Sequence, residues 1–198
     1  MTKLMGLPYI DKPGGLIQVW QKSVPPTGED KATTKRIPVS AIYAAMTNCD
    51  LTDEKLISYV PESKLKGMFY FEDGGASLNS NKRSPSVNFW RSRLRLVAWF
   101  NTKNIQSQQD IMFTSNVQQE MISLLPSKPI NVDIFKQFYV EPTNILAMES
   151  SIFPYDYDEK ETQFLLPPYA FFAIDLDVYY GIPKGCAIPV IPDTITPC

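Results

Sequence analysis

A chain of 198 residues, 44% hydrophobic and 20% charged, has the composition of a folded protein and the length of one domain. Its net charge of −2 supplies no global field for nucleic acid or an anionic membrane, and no apolar run approaches the ~20 residues of a membrane span. The absence of histidine excludes a Ser-His-Asp triad, a Cys-His pair and the common zinc and copper sites. Pro8, Asp11, Lys12 and Pro13 interrupt the first residues, so a cleaved signal peptide is not expected. Cys49, Cys186 and Cys198 are odd in number and widely spaced, which reads as reduced thiols.

The 17 prolines favour short elements with long connections, because proline removes a backbone donor and fixes φ. Residues 1–36 read as an irregular arm holding one strand, Leu16 to Gln21. Ile37, Ala41, Ala44, Ala45 and Met46 recur at helical spacing within 37–60. A second helical stretch follows Thr52-Asp53-Glu54 and stops at Pro61. Gly67 to Glu72 is a compact aromatic strand, and 73–85 reads as a long polar loop.

Ser86 to Asn101 returns as a long strand, with a bend or bulge expected near Arg91. Its alternation puts Leu94, Leu96, Ala98 and Phe100 on one face and Arg93, Arg95, Val97 and Trp99 on the other. Val117, Met121, Leu124 and Leu125 form the stripe of one main helix, about 115–125, capped by Ser115 or Asn116 and stopped by Pro126. Ile130 to Val140 reads as one strand, Asn144 to Glu149 as a helical turn, and Phe153 to Glu161 as an acidic loop. The last strand, Tyr169 to Tyr180, sets Phe172, Ile174, Leu176, Val178 and Tyr180 against Phe171, Ala173, Asp175, Asp177 and Tyr179.

The expected architecture is therefore α+β: an antiparallel β-sheet with one main helix (about 115–125) packed on one face, long loops and an extended proline-rich C-terminal arm. The chain reads as a single domain, 1–198, with a sheet-helix core over 66–186 and an extended tail over 187–198.

Four constellations invite chemistry. Asp175 and Asp177 lie on one face of their strand, ~7 Å apart, a spacing that can hold a divalent cation. The same carboxylates have a structural use if Arg93 and Arg95 lie on a neighbouring strand, and that reading is preferred. Lys82, Arg83, Arg91, Arg93 and Arg95 form a basic stretch containing Phe89 and Trp90. It could contact phosphates and bases, although no nucleic-acid signature accompanies it. Glu149, Asp156, Asp158, Glu159 and Glu161 form an acidic run; set against the basic stretch of a neighbouring copy, it would make a head-to-tail ring contact. Asp73-Gly74-Gly75 is turn chemistry and lacks the remainder of a phosphate loop.

The segments GMFYFEDGG, SRLRLVAWFNTKNI and SSIFPYDYDEKETQFLLPPYAFFAIDLDVYYGIPKGC resemble virion-gene products of Bacteroidetes phages and prophages, over roughly residues 66–186. The resemblance implies a ring-forming structural subunit of the head–tail junction, of the neck-connector or tail-terminator type, in the virion and assembled in the host bacterial cytoplasm. It implies no enzyme activity, no cofactor and no metal. Its partners would be further copies of itself and other virion proteins such as the portal, connector or tail tube, with no membrane. Interface candidates are Lys82, Arg83, Asp156, Asp158, Glu159 and Glu161. Two alternatives stand beside it: a metal-dependent nucleotide- or sugar-processing enzyme using Asp175 and Asp177, and a monomeric peptide-binding adaptor.

Overall fold

The computed structural model describes residues 4, 6–24, 33–41, 56–79, 82, 84–105, 113–132, 135–147, 150–155, 165–166 and 168–184. In chain order the strands are β1 (Lys12–Leu16), β2 (Gln18–Val24), β3 (Thr33–Ala41), β4 (Leu56–Ser58), β5 (Gly67–Leu78) and β6 (Val87–Asn101). Helices α1 (Thr102–Ile105) and α2 (Phe113–Ser123) follow, then β7 (Ile130–Val132), β8 (Phe135–Ala147), a 3-10 turn (Ser150–Ile152) and β9 (Tyr169–Pro183). A curled six-stranded sheet runs β1-β5-β6-β9-β8-β7, and a smaller sheet runs β2-β3-β4.

The α+β expectation is overturned. Among the described residues nine strands stand against two short helices, so the protein is mostly β. Nor is the main sheet purely antiparallel, because β1 pairs with β5 in parallel. The main helix exists, but it begins at Phe113 and ends at Ser123, and it is a short cover on one face rather than a layer. Phe113, Val117 and Met121 supply its buried stripe, while Leu124 and Leu125 pack against the core in the exit from the helix.

The long strands follow from continuous apolar runs whose two faces are both covered. One face buries Phe69, Phe71, Leu96, Ala98, Phe100, Phe172 and Ile174 beneath α2 and the N-terminal Leu4, Leu7 and Ile10. The other buries Met68, Tyr70, Val97, Trp99, Phe171 and Ala173 beneath Tyr59, Ile152 and Phe153. The face assignments expected for β6 and β9 hold, and the two strands are direct neighbours through the whole length of both.

Several local expectations fail because strand pairing overrides them. Ile37 and Ala41 belong to β3, not a helix, since Thr33–Val39 pairs with Gln18–Val24. Leu56 and Ile57, expected in a second helix, form β4 on the edge of the same small sheet. The N-terminal arm is correspondingly not irregular: it holds β1, β2 and the start of β3.

The loop expected over 73–85 is strand as far as Leu78. A bulge between Asp73 and Ala76 absorbs the two glycines; Gly75 takes a φ of 87°, and the Asp73 carboxylate accepts its amide at 2.7 Å. The irregularity expected near Arg91 of β6 therefore lies in its partner strand. The single strand over 130–140 is a hairpin, β7 against β8, and the helical turn expected from Asn144 is the end of β8 as far as Ala147. The residues 187–198 and all three cysteines lie outside the described residues.

Candidate functional site

Beyond the doubly covered half, one face of the sheet changes from apolar to charged. Strand register sets its rows. Glu72 of β5, Arg95 of β6, Asp175 of β9 and Asn144 of β8 lie across from one another. The next row is Arg93, Asp177 and Glu141, and the third is Ser77, Arg91, Tyr179 and Tyr139. An open groove of about 460 Å³ runs along this band, lined by Glu72, Arg91, Arg93, Arg95, Asp175 and Asp177.

The expected pairing of the two aspartates with arginines on a neighbouring strand is realised, with one change of partner. Arg95 Nε donates to Asp175 Oδ1 at 2.7 Å, directly across the strands. Asp177 faces Arg93 in register but receives the diagonal Arg91 instead, Nη2 to Oδ2 at 2.5 Å. Each hydrogen bond raises its guanidinium above the ordinary arginine range. Asp177 is nearly buried, with a side chain 7% exposed against 40% for Arg91, so the carboxylate depends on its cation for compensation. Both carboxylates of the proposed cation clamp are thus already neutralised by guanidiniums, and among the described residues no group of three or more acids or cysteines is disposed to hold a metal.

Glu72 closes the band on the β5 side, where the Tyr155 hydroxyl donates to its Oε1. Burial raises the Glu72 carboxyl above its ordinary range; the Tyr155 hydroxyl and then the Arg95 guanidinium oppose that rise, and Asp175 adds to it. Burial and this same hydrogen bond lift the Tyr155 phenol far above its usual range. The contact ties the 150–155 segment, which covers the Trp99 face, to the charged band. Arg36 of β3 adds a second tie by donating to the Pro154 carbonyl at 2.8 Å.

At the far end of the band, Tyr139 and Tyr179 stack as a cross-strand pair, 4.8 Å between ring centroids. Lys82, the first of the interface candidates, places its ammonium 5.2 Å from the Tyr139 ring and 5.5 Å from that of Phe89. It acts as a clasp from the β5–β6 connection onto β8, worth about 0.5–1 kcal/mol at an exposed site. Phe89 can lie there because Gly181 opposite has no side chain; a Cβ on Gly181 would come within 3.0 Å of the Phe89 ring. The other interface candidates, Arg83, Asp156, Asp158, Glu159 and Glu161, lie outside the described residues, as does Glu149.

Sequence reasoning missed Glu72, Tyr155, Tyr139 and Tyr179. Only the tyrosine pair left a signal, as an aromatic at the same depth of two strands. Among the described residues no helix is long and apolar enough to cross a membrane. Comparison of the chain with protein-family models and with curated proteins finds no match.

Proposed function

We propose that this chain is a virion assembly subunit of a phage, acting by protein–protein contact in a ring at the head–tail junction, as a neck connector or tail terminator. The resemblance over residues 66–186 supports the virion assignment. The observation that carries the binding role is where the reactive groups go. The acidic and basic side chains best placed for chemistry are engaged with each other across strands: Arg95 with Asp175, Arg91 with Asp177, and Glu72 with Tyr155. What the molecule leaves open is strand edge and exposed apolar surface, with Leu78, Ile130, Val132 and Ile145 each exposed at the margins of the main sheet. Open edges are surfaces for association.

The partners on this reading are further copies of the chain and the neighbouring virion proteins. Mass photometry and negative-stain electron microscopy of the purified protein, alone and mixed with the portal and tube proteins of the same virion, test it. Rings or closed oligomers are expected in at least one mixture. A monomer in every mixture, or tight divalent-cation binding lost in Asp177→Asn, would overturn it.

A further inference from the structure

The main sheet ends unevenly on both sides. On one side β1 flanks only the Met68–Phe71 part of β5, and every residue from Asp73 to Leu78 is exposed. On the other, β7 flanks only the Phe135–Phe138 part of β8, and Glu141 to Ile145 are all exposed. Among the described residues, each side thus carries one short protruding strand and one bare stretch of edge. The bare stretches lie at opposite ends of the sheet. Leu78 stands level with Trp90 and Tyr180, whereas Ala147 stands level with Phe172 and Ala98. The protrusion on one side therefore sits at the same end as the notch on the other: β7 at the end where Gly74–Leu78 is bare, β1 at the end where Glu141–Ala147 is bare.

The two notches are not equivalent as templates. The β8 edge contains Pro142, which has no N–H, and a bulge at Thr143 whose hydroxyl turns inward to the Asp175 carbonyl. Missing donors and bulges are how sheet edges are kept from adding strands. The β5 edge beyond Asp73 reads Gly-Gly-Ala-Ser-Leu, without proline or charge, and its own bulge is confined to Gly74-Gly75 at the inner end of the notch. Ala76–Leu78 pair regularly with β6, and Leu78 is 58% exposed there. The regular part, Ala76–Leu78, offers ~10 Å of edge, the length of a three-residue strand. β7 has that length and carries its own exposed apolar side chains, Ile130 at 45% and Val132 at 38%.

We infer that the sheet continues from one copy of the chain into the next, with β7 of one copy seated in the notch beside Gly74–Leu78 of its neighbour. β5, β9 and β7 all run in the same direction through alternating antiparallel pairs, so with the faces kept on the same sides the new pairing is parallel. The contact joins two different surfaces. Each copy is left with one used and one unused edge, and repetition gives a ring where the rotation closes and a filament where it does not. This inference rests on the self-association in the proposed function and names the surfaces that make it.

Cross-linking tests it in a chain whose Cys49, Cys186 and Cys198 are replaced by serine. Ser77→Cys and Val132→Cys are placed in separate preparations and joined by a short bis-maleimide. A 77–132 adduct is expected in the mixture and no dimer in either preparation alone. Ile130→Lys or Val132→Lys, both at exposed positions, is expected to raise the concentration at half-assembly by about tenfold or more with an unchanged circular dichroism spectrum. Assembly without the 77–132 adduct, or a dimer formed by Ser77→Cys alone, overturns the inference and leaves the assembly reading standing. A monomer at every concentration overturns both.

Discussion

Replacing Arg95 and Asp175 by alanine, singly and together, isolates the contact that separates a structural from a metal-binding use of the aspartates. The bond is direct, 2.7 Å from Nε to Oδ1, with side chains 33% and 29% exposed. Two unit charges about 4 Å apart attract by ~1 kcal/mol in water and ~4 kcal/mol at an effective protein dielectric. With about a third of each side chain in solvent, screening and the entropy of holding an arginine in one rotamer reduce this. The coupling expected from the double-mutant cycle is about 0.5–1 kcal/mol. Urea unfolding at neutral pH, monitored by tryptophan fluorescence, measures it. Repeating the cycle in 1 M salt, where the Debye length is ~3 Å, should shrink the coupling. Pairing Asp175 with Arg93 instead of Arg95 should give a smaller value, because Arg93 lies opposite Asp177. A coupling indistinguishable from zero, or a larger one with Arg93, would refute the structural assignment.

Three further outcomes follow from the same geometry. The native state holds the Glu72 proton more tightly than the unfolded chain does, because burial raises its carboxyl. Its contribution to stability is therefore full below the unfolded carboxyl range and is lost as pH rises through the native value. Glu72→Gln, which still accepts from Tyr155, should gain thermal stability over the wild type as pH rises from 4 to 8; a pH-independent difference would contradict this. Met121 is fully buried on α2, so Met121→Ala should cost about 2–5 kcal/mol in denaturant unfolding and Met121→Leu less than about 1.5 kcal/mol. Equal effects would mean that the helix face is not packed. A Cβ on Gly67 would lie 2.6 Å from the Tyr9 carbonyl and 2.7 Å from the Phe100 ring, whereas one on Gly75 would meet open space at a φ of +87°. Gly67→Ala should cost roughly 2–3 kcal/mol through overpacking and Gly75→Ala roughly 1 kcal/mol through backbone strain alone, so reversal of that order in urea midpoints would be the failing result.

The sequence by itself determined the centre of the sheet. In β6 and β9 the apolar-polar alternation is clean in the charged half, so the face assignments could be read without coordinates. A one-residue slip there would turn Asp175, Asp177 and Arg95 into the core and Leu94 and Leu176 out to the groove. The placement of Arg93 and Arg95 opposite Asp177 and Asp175 was legible for the same reason, once the two strands were taken as neighbours. The stripe of α2 was legible too, although Phe113 begins it two residues before the expected cap.

Tertiary structure decided the rest. The apolar residues of 37–41 fit either a helix or a strand, and only the β2 partner selects the strand. Asp73-Gly74-Gly75 carries a turn signal, yet β6 holds β5 in the sheet on both sides of a bulge, because pairing as far as Trp90 outweighs one irregularity. Diagonal geometry gave Asp177 to Arg91, the third row's cation, rather than to the in-register Arg93. Glu72 and Tyr155 meet across 83 positions of sequence, a separation that no local pattern encodes. The same holds for the staggered edges. Which strands end short of their neighbours depends on where β1 and β7 dock, and that is set by long-range pairing rather than by the residues of the edge itself.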